Sequence, residues 1–317
     1  MDLKQLQHFT HIAELGSLTR AAGLLGVTQA ALSRQMAQLE AELETELFKR
    51  NGRGVTLTDS GKKLAEHASA ILSQVQRAQR AVKGGKGAAQ GHMVLGLPPS
   101  LSRNVVVPLV EAFQKRLPDS TMTTIEGLSS SMMDLLAIGK LDCAIVYNRN
   151  ATEGVDLMPL ADEDLYLVSG SMAISSGTRL AAAMSLTDIA ALPIISAGLL
   201  NAVHTALATA LTEIGKTPNV IHEIANLPAI LDLVRKGYGY TVAPLSAVHS
   251  CVGDPELRLH RIRKPVLHCT LSIATPTQVK PDALTMETIS VLRDVVQKQL
   301  AGFRADVEGA IDGKKAG

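Results

Sequence analysis

Two glycine stops ten residues apart, each followed by a hydroxyl-bearing cap, constrain this chain more than any other feature. Gly16-Ser17 closes one segment and opens the next, and Gly26-Val27-Thr28 repeats the arrangement. Glycine reaches the left-handed conformation that ends a helix, and Ser or Thr accepts from the first free amides of the helix that follows. Before the first stop, Leu3, Leu6, Phe9, Ile12, Ala13 and Leu15 recur at helical spacing. A short helix, LTRAAGLL, fits between the stops, and a third runs from Thr28 to about Glu42. Two short helices joined by a tight glycine turn, with Ala22 at their crossing, make a helix-turn-helix.

The third helix divides its faces. Leu32, Met36, Leu39 and Leu43 form an apolar stripe, which leaves Gln29, Ala30, Ser33, Arg34, Ala37 and Gln38 outside. A helix entering the major groove needs small residues beside the sugar-phosphate walls and forked side chains at the bases. Arg34 can take both acceptors of guanine and Gln29 can pair with adenine, each contact giving about 1–3 kcal/mol of discrimination. Thr28 and Ser33 suit phosphates, and Thr19 and Gln38 complete the DNA-facing set. Downstream, FKRNGRGVTLT alternates strand-like pieces with turn residues and carries Lys49, Arg50 and Arg53, so it reads as a basic wing. Charge agrees in sign: residues 1–92 hold 12 Lys and Arg against 8 Asp and Glu, while the remainder holds 19 against 22.

A long helix is expected from Thr58. Its apolar positions Leu64, Ala68, Ile71, Val75, Ala78 and Val82 follow the 4, 3, 4, 3, 4 spacing of a heptad seam, which suits a two-helix dimer. KGGKGAAQG then reads as a flexible linker. Beyond it, strand-like and helix-like runs alternate as βαβαβ, from HMVLGL to LDCAIVY, and the alternation recurs from PIIS to YGYTVAP. A weak repeat supports two similar α/β lobes: Asp134-Leu135 with Gly139 matches Asp232-Leu233 with Gly237, and Glu126 and Glu223 precede them. Tandem lobes leave a cleft at the carboxyl ends of their strands, with chain crossings expected at residues 147–152 and 264–270. Candidate ligand contacts at the helix starts facing that cleft are Ser100, Leu101, Ser102, Ser129, Ser130, Asn201, His204 and Asn226, with Tyr147 at the crossing.

The run GSLTRAAGLLGVTQAALSRQMAQLEAELETELFKRNGRGVTLTDSGKKL resembles the N-terminal signature of LysR-type transcriptional regulators, and GLPPSL with AIVYN resembles their nitrogen-assimilation-control branch. The resemblance implies a fold of class α/β with an N-terminal winged helix-turn-helix (1–58), a dimerisation helix (59–87) and a two-lobed effector domain like periplasmic binding proteins (88–302). The lobes would be residues 92–148 with 268–302, and 149–267; residues 303–317 read as a tail. The resemblance further implies double-stranded promoter DNA, RNA polymerase, a second copy of the chain and assembly to tetramers as partners, and a small-molecule effector, polar or anionic, in place of any cofactor.

No nucleophile elbow, P-loop, dinucleotide fingerprint or metal-spaced histidine set marks an enzyme. Neither a signal segment nor a membrane span is visible, which points to the cytoplasm. Two other readings compete. A solute-binding sensor without a DNA role would suit the second half alone. A redox-sensing regulator would use Cys143, Cys251 and Cys269, whose spacing argues for reduced packing residues instead.

Overall fold

Local capping chemistry places the first three helices. The computed structural model describes residues 1–52, 54–83, 91–148, 150, 152–171, 180–277 and 280–312, without the side chains of Arg50, Gln76, Arg77, Arg80, Ala81 and Lys83. The chain forms two compact units, Met1–Gly87 with Ala137–Lys140, and Ala88–Leu136 with Leu141–Gly317.

In the first unit, α1 (Leu3–Leu15) opens on a capping box between Asp2 and Gln5. It stops at Gly16, and α2 (Leu18–Leu25) stops at Gly26, with φ of +60° and +65°. Ser17 accepts from the Arg20 amide at 3.3 Å, and Thr28 accepts from the Ala31 amide at 3.2 Å, which starts α3 (Gln29–Glu42). Phe9, Ile12, Ala21, Leu32 and Leu39 are fully buried between these helices. Leu43, expected on the same stripe, is instead the exposed residue that ends α3.

Strands β1 (Phe48–Asn51) and β2 (Gly54–Leu57) pair antiparallel as the wing. Three contacts fix it to the helices. Glu40 Oε1 accepts from the Leu47 and Phe48 amides at 2.8 and 3.1 Å, the Phe48 ring lies 5.2 Å from Phe9, and the Val55 amide donates to the Gly16 carbonyl at 3.0 Å. Gly54 sits at φ +151°, where a Cβ would collide with that same carbonyl, so the approach of wing to turn requires glycine. α4 (Asp59–Lys83) starts at Thr58, whose Oγ1 accepts from the Gly61 amide at 2.9 Å.

The second unit opens as expected. β3 (Gly91–Leu97), α5 (Pro99–Arg116), β4 (Ser120–Glu126), α6 (Ser129–Ala137) and β5 (Cys143–Tyr147) follow in order, with β3 parallel to both β4 and β5. β6 (Val155–Gly170) then runs antiparallel. Its first part pairs with β12 (His268–Pro276) and its end with β10 (Thr241–Pro244) and β11 (Leu257–Ile262). The remaining elements of the second lobe are β7 (Ala183–Met184), α7 (Leu186–Ala190), β8 (Ile194–Ser196), α8 (Ala202–Glu213), β9 (Val220–Glu223), α9 (Leu227–Arg235) and α10 (Leu245–Val248). The weak repeat falls on matching features, since α6 and α9 each lead into a positive-φ glycine, Gly139 at +71° and Gly237 at +78°.

Two expected boundaries move. The first crossing is not at residues 147–152 but inside β6 near residue 165, because the strand completes its pairing with β12 before it meets β10. Residues 155–164 therefore belong to the first lobe and not the second. The tail expected from residue 303 is helix: α11 spans Ala283–Ile311, and Phe303 and Val307 continue the buried stripe of Val296 and Leu300. Glu308 anchors that end, accepting from Arg261 Nε at 2.6 Å and Tyr166 Oη at 3.1 Å. Residues 84–90 of the expected linker and 313–317 of the expected tail lie outside the described residues.

Candidate functional site

The outer face of α3 is what the sequence requires of a groove-entering helix. Thr28, Gln29, Ala30, Arg34, Ala37 and Gln38 are exposed, Ser33 is half-buried, and Leu32, Met36 and Leu39 turn to the core. Thr19 is exposed on α2. Gln35, between Arg34 and Met36, bonds to His8 of α1 and so ties the helix down from its inner edge. Arg53 and the Arg50 side chain lie outside the described residues; Lys49 of the wing is exposed.

The apolar stripe of α4 divides into two parts. Ala68 is fully buried and so unavailable to a second chain, and the half-buried Leu64 packs against the same core. This corrects the expected place of Ala68 in a dimer seam: α1 already covers that end of the helix. Ile71 is 36% exposed and Val82 86% exposed, with Val75 half-buried and Ala78 exposed, so the later turns carry the exposed part of the stripe.

In the second unit a cavity of about 270 Å³ lies between the two lobes. Four sequence-expected residues line it: Ser100 at the start of α5, Ser129 at the start of α6, Tyr147 at the end of β5 and Asn201 before α8. Five do not. Leu101 turns into the core at zero exposure, and the Ser102 hydroxyl is buried against Glu126 Oε1 at 2.6 Å, because helical geometry rotates each a further 100° away from Ser100. Ser130 lies beyond the wall. Asn226 only caps α9, accepting from the Ala229 amide, and His204 bonds Ser196 Oγ at 3.0 Å on the far side of α8. Most of the lining was not foreseen: Leu128, Leu200, Leu227, Ile230, Val242 and Pro244 give an apolar body, and Thr241 adds a hydroxyl. Among the described residues no Lys, Arg or His lines the cavity, so the expected anion finds no side-chain counter-charge among them.

Behind Tyr147 sits a fully buried carboxylate, Glu163 of β6, which sequence reasoning missed. Its Oε1 accepts from the Ser246 amide at 2.7 Å and its Oε2 from the Tyr147 hydroxyl. Burial pushes the Glu163 carboxyl above the ordinary glutamate value, and hydrogen bonds from Tyr147 and from the amide and hydroxyl of Ser246 pull it partly back. The Tyr147 phenol is pushed well above its usual range by burial and then by the neighbouring carboxylate, so it keeps its proton. Ser246 belongs to α10, and its carbonyl accepts from Asn104 Nδ2 of α5 at 2.7 Å. The network thus joins both lobes under the cavity floor.

The three cysteines are buried and reduced. Burial raises Cys143 and Cys269 to about 12 and Cys251 to about 11, which suppresses the thiolate that reacts with oxidants. Promoter binding is therefore expected to be unchanged after hydrogen peroxide treatment, as read by gel shift with thiol mass spectrometry. A sulfenic adduct or a disulfide formed in step with altered binding would restore the redox reading.

Two family models match: "Bacterial regulatory helix-turn-helix protein, lysR family" over residues 3–62 and "LysR substrate binding domain" over residues 86–297. The chain belongs to the LysR family of DNA-binding transcriptional regulators, a helix-turn-helix joined to an effector-binding domain. It is similar to the nitrogen assimilation regulatory protein nac of Klebsiella aerogenes, at 34% identity over 86% of this chain and 88% of that one, and to nac of Escherichia coli K12, at 31% over 93% and 95%. A probable hydrogen peroxide-inducible genes activator of Mycobacterium avium is 32% identical over 77% and 78%. Among solved structures, full-length CbnR with its target DNA superposes with a TM-score of 0.69 at 21% identity, covering 94% of this chain and 100% of that one. The family match sets aside a solute-binding role without DNA. Among the described residues no helix is long and apolar enough to cross a membrane.

Proposed function

We propose that this regulator senses a small molecule in the inter-lobe cavity and passes its occupancy to promoter DNA, in the cytoplasm, as a homo-oligomer joined through the later turns of α4. The observation that carries the reading is the cavity itself, walled by helix starts of both lobes and crossed beneath by hydrogen bonds that tie those lobes together. A ligand that prefers one lobe spacing shifts the population toward it by its differential affinity. The reading requires neither an enzymatic step nor a cofactor. Similarity to the nac proteins supports controlled promoters in nitrogen metabolism.

Filling the cavity tests this. Ala197 lines it and is only half-buried, so Ala197→Trp adds bulk without dismantling a core. In a reporter strain driven from the regulator's own promoter, a shift from rich to poor nitrogen source is expected to change output several-fold with the native chain. With Ala197→Trp the output is expected to stay fixed, while gel shifts show basal DNA binding intact. A variant that still responds fully would remove the cavity from the mechanism.

A further inference from the structure

The cavity wall has a hydrogen-bond polarity that its composition does not reveal. Tyr147 Oη carries one proton, and that proton goes to Glu163 Oε2. Ser100 Oγ lies 3.2 Å from Tyr147 Oη and Ser246 Oγ lies 3.4 Å from it. Because the tyrosine proton is already engaged, Ser100 is the donor in its contact. Ser100 is therefore left with lone pairs toward the cavity. Thr241, in the opposite lobe's wall, donates its own hydroxyl proton to the Ile195 carbonyl at 2.8 Å, and it too presents lone pairs. Two wall hydroxyls, Ser100 and Thr241, are thereby set as acceptors, and a carboxylate held at zero exposure fixes the direction of the first.

Three of the four helix starts at the wall add few donors. α5 opens with Pro98 and Pro99, neither of which has an amide proton to give an anion. At α8 and α9 one first-turn amide each is held by the cap, Val203 by Asn201 and Ala229 by Asn226, both at 2.9 Å, and Pro228 has none to give. Ser129 remains a donor, since its Oγ accepts from the Tyr147 amide at 2.9 Å and keeps its proton. The wall thus offers acceptors at Ser100 and Thr241 and a donor at Ser129.

We propose that the cavity selects an uncharged ligand with an apolar body and a polar head that donates hydrogen bonds, of carboxamide or alcohol type, and rejects the matching carboxylate. Glu163 is the positioning residue for that choice. It does not line the cavity, but it dictates which way the Tyr147 and Ser100 protons point. A carboxylate brought against these lone pairs would face acceptors with acceptors and lose its water without replacement. The inference rests on the cavity being the effector site.

The test is isothermal titration calorimetry on the full chain with two isosteric probe pairs, benzamide against benzoate and isovaleramide against isovalerate. The amide of each pair is expected to bind about ten-fold or more tighter than its acid, the factor that one mismatched buried hydrogen bond produces. Glu163→Gln should collapse or reverse that ratio, because the glutamine amide can donate to Tyr147 Oη and release the tyrosine proton toward the cavity. A merely structural role would weaken both members equally. Ser100→Ala, at a half-buried site, gives an independent reading: amide affinity falls and acid affinity holds. Tighter binding of the acids by the native chain overturns the ligand class alone. Absence of saturable binding by all four probes overturns the cavity as an effector site, and the inference with it.

Discussion

Arg34→Ala is expected to reduce affinity for the regulator's operator about ten- to a hundred-fold and to erase its preference over unrelated DNA, because one bidentate base contact supplies 1–3 kcal/mol of discrimination. The geometry permits this reading. Arg34 is exposed on the face of α3 opposite Leu32, Met36 and Leu39, and among the described residues its guanidinium has no hydrogen-bond partner. No protein contact is broken by the change, so circular dichroism and thermal unfolding should match the native chain within about 0.5 kcal/mol. Lys49→Ala in the wing supplies the contrast. A phosphate contact weakens binding to all sequences alike and lowers the salt slope by about 1, whereas a base contact leaves that slope nearly unchanged. Retained operator preference in a gel shift of Arg34→Ala would place base reading elsewhere on the unit. Ala37 makes a steric version of the same test. Ala37→Leu keeps a good helix former on an exposed position, so loss of DNA binding without loss of stability would show that the groove wall closes there.

The helix-turn-helix was legible because its determinants are local. The caps Gly16, Ser17, Gly26 and Thr28 act within four residues of themselves, and the apolar spacing of α1 and α3 needs no knowledge of the rest of the chain. The alternation of strands and helices in the lobes was legible for the same reason. What failed was long-range. In ADEDLY an acid at Glu163 reads as surface, yet it is buried because Tyr147 and Ser246 reach it from positions 16 and 83 residues away. Leu101 and Ser102 were placed in the site by proximity to Ser100, where one further step along the helix carries each away from the cavity. The apolar lining from Leu227, Ile230 and Val242 gave no signal, since residues of that kind are the ordinary core of an α/β lobe. Phe303 and Val307 look like a frayed end until β11 and β6 supply Arg261 and Tyr166 as partners for Glu308.

A regular heptad pattern along α4 conceals a change of partner, and substitutions on either side of that change are expected to behave oppositely. Ala68→Glu places an unpaired carboxylate in a fully buried site of the N-terminal core and should cost about 3 kcal/mol or more, seen as early melting of that unit. Ile71→Glu with Val75→Glu falls where the helix is already partly exposed in the single chain, so folding should change little while the oligomer dissociates in light scattering. The consequence for DNA separates the two roles further. Two heads joined through α4 bind two half-sites with the second encounter made at high effective concentration. Breaking the joint should therefore lower affinity for the full palindromic site and leave affinity for an isolated half-site as it was, which loss of the helix-turn-helix fold cannot do. An unchanged oligomer in the double variant would assign the contact to the effector domains, and the exposed turns ending at Val82 would then need no partner chain at all.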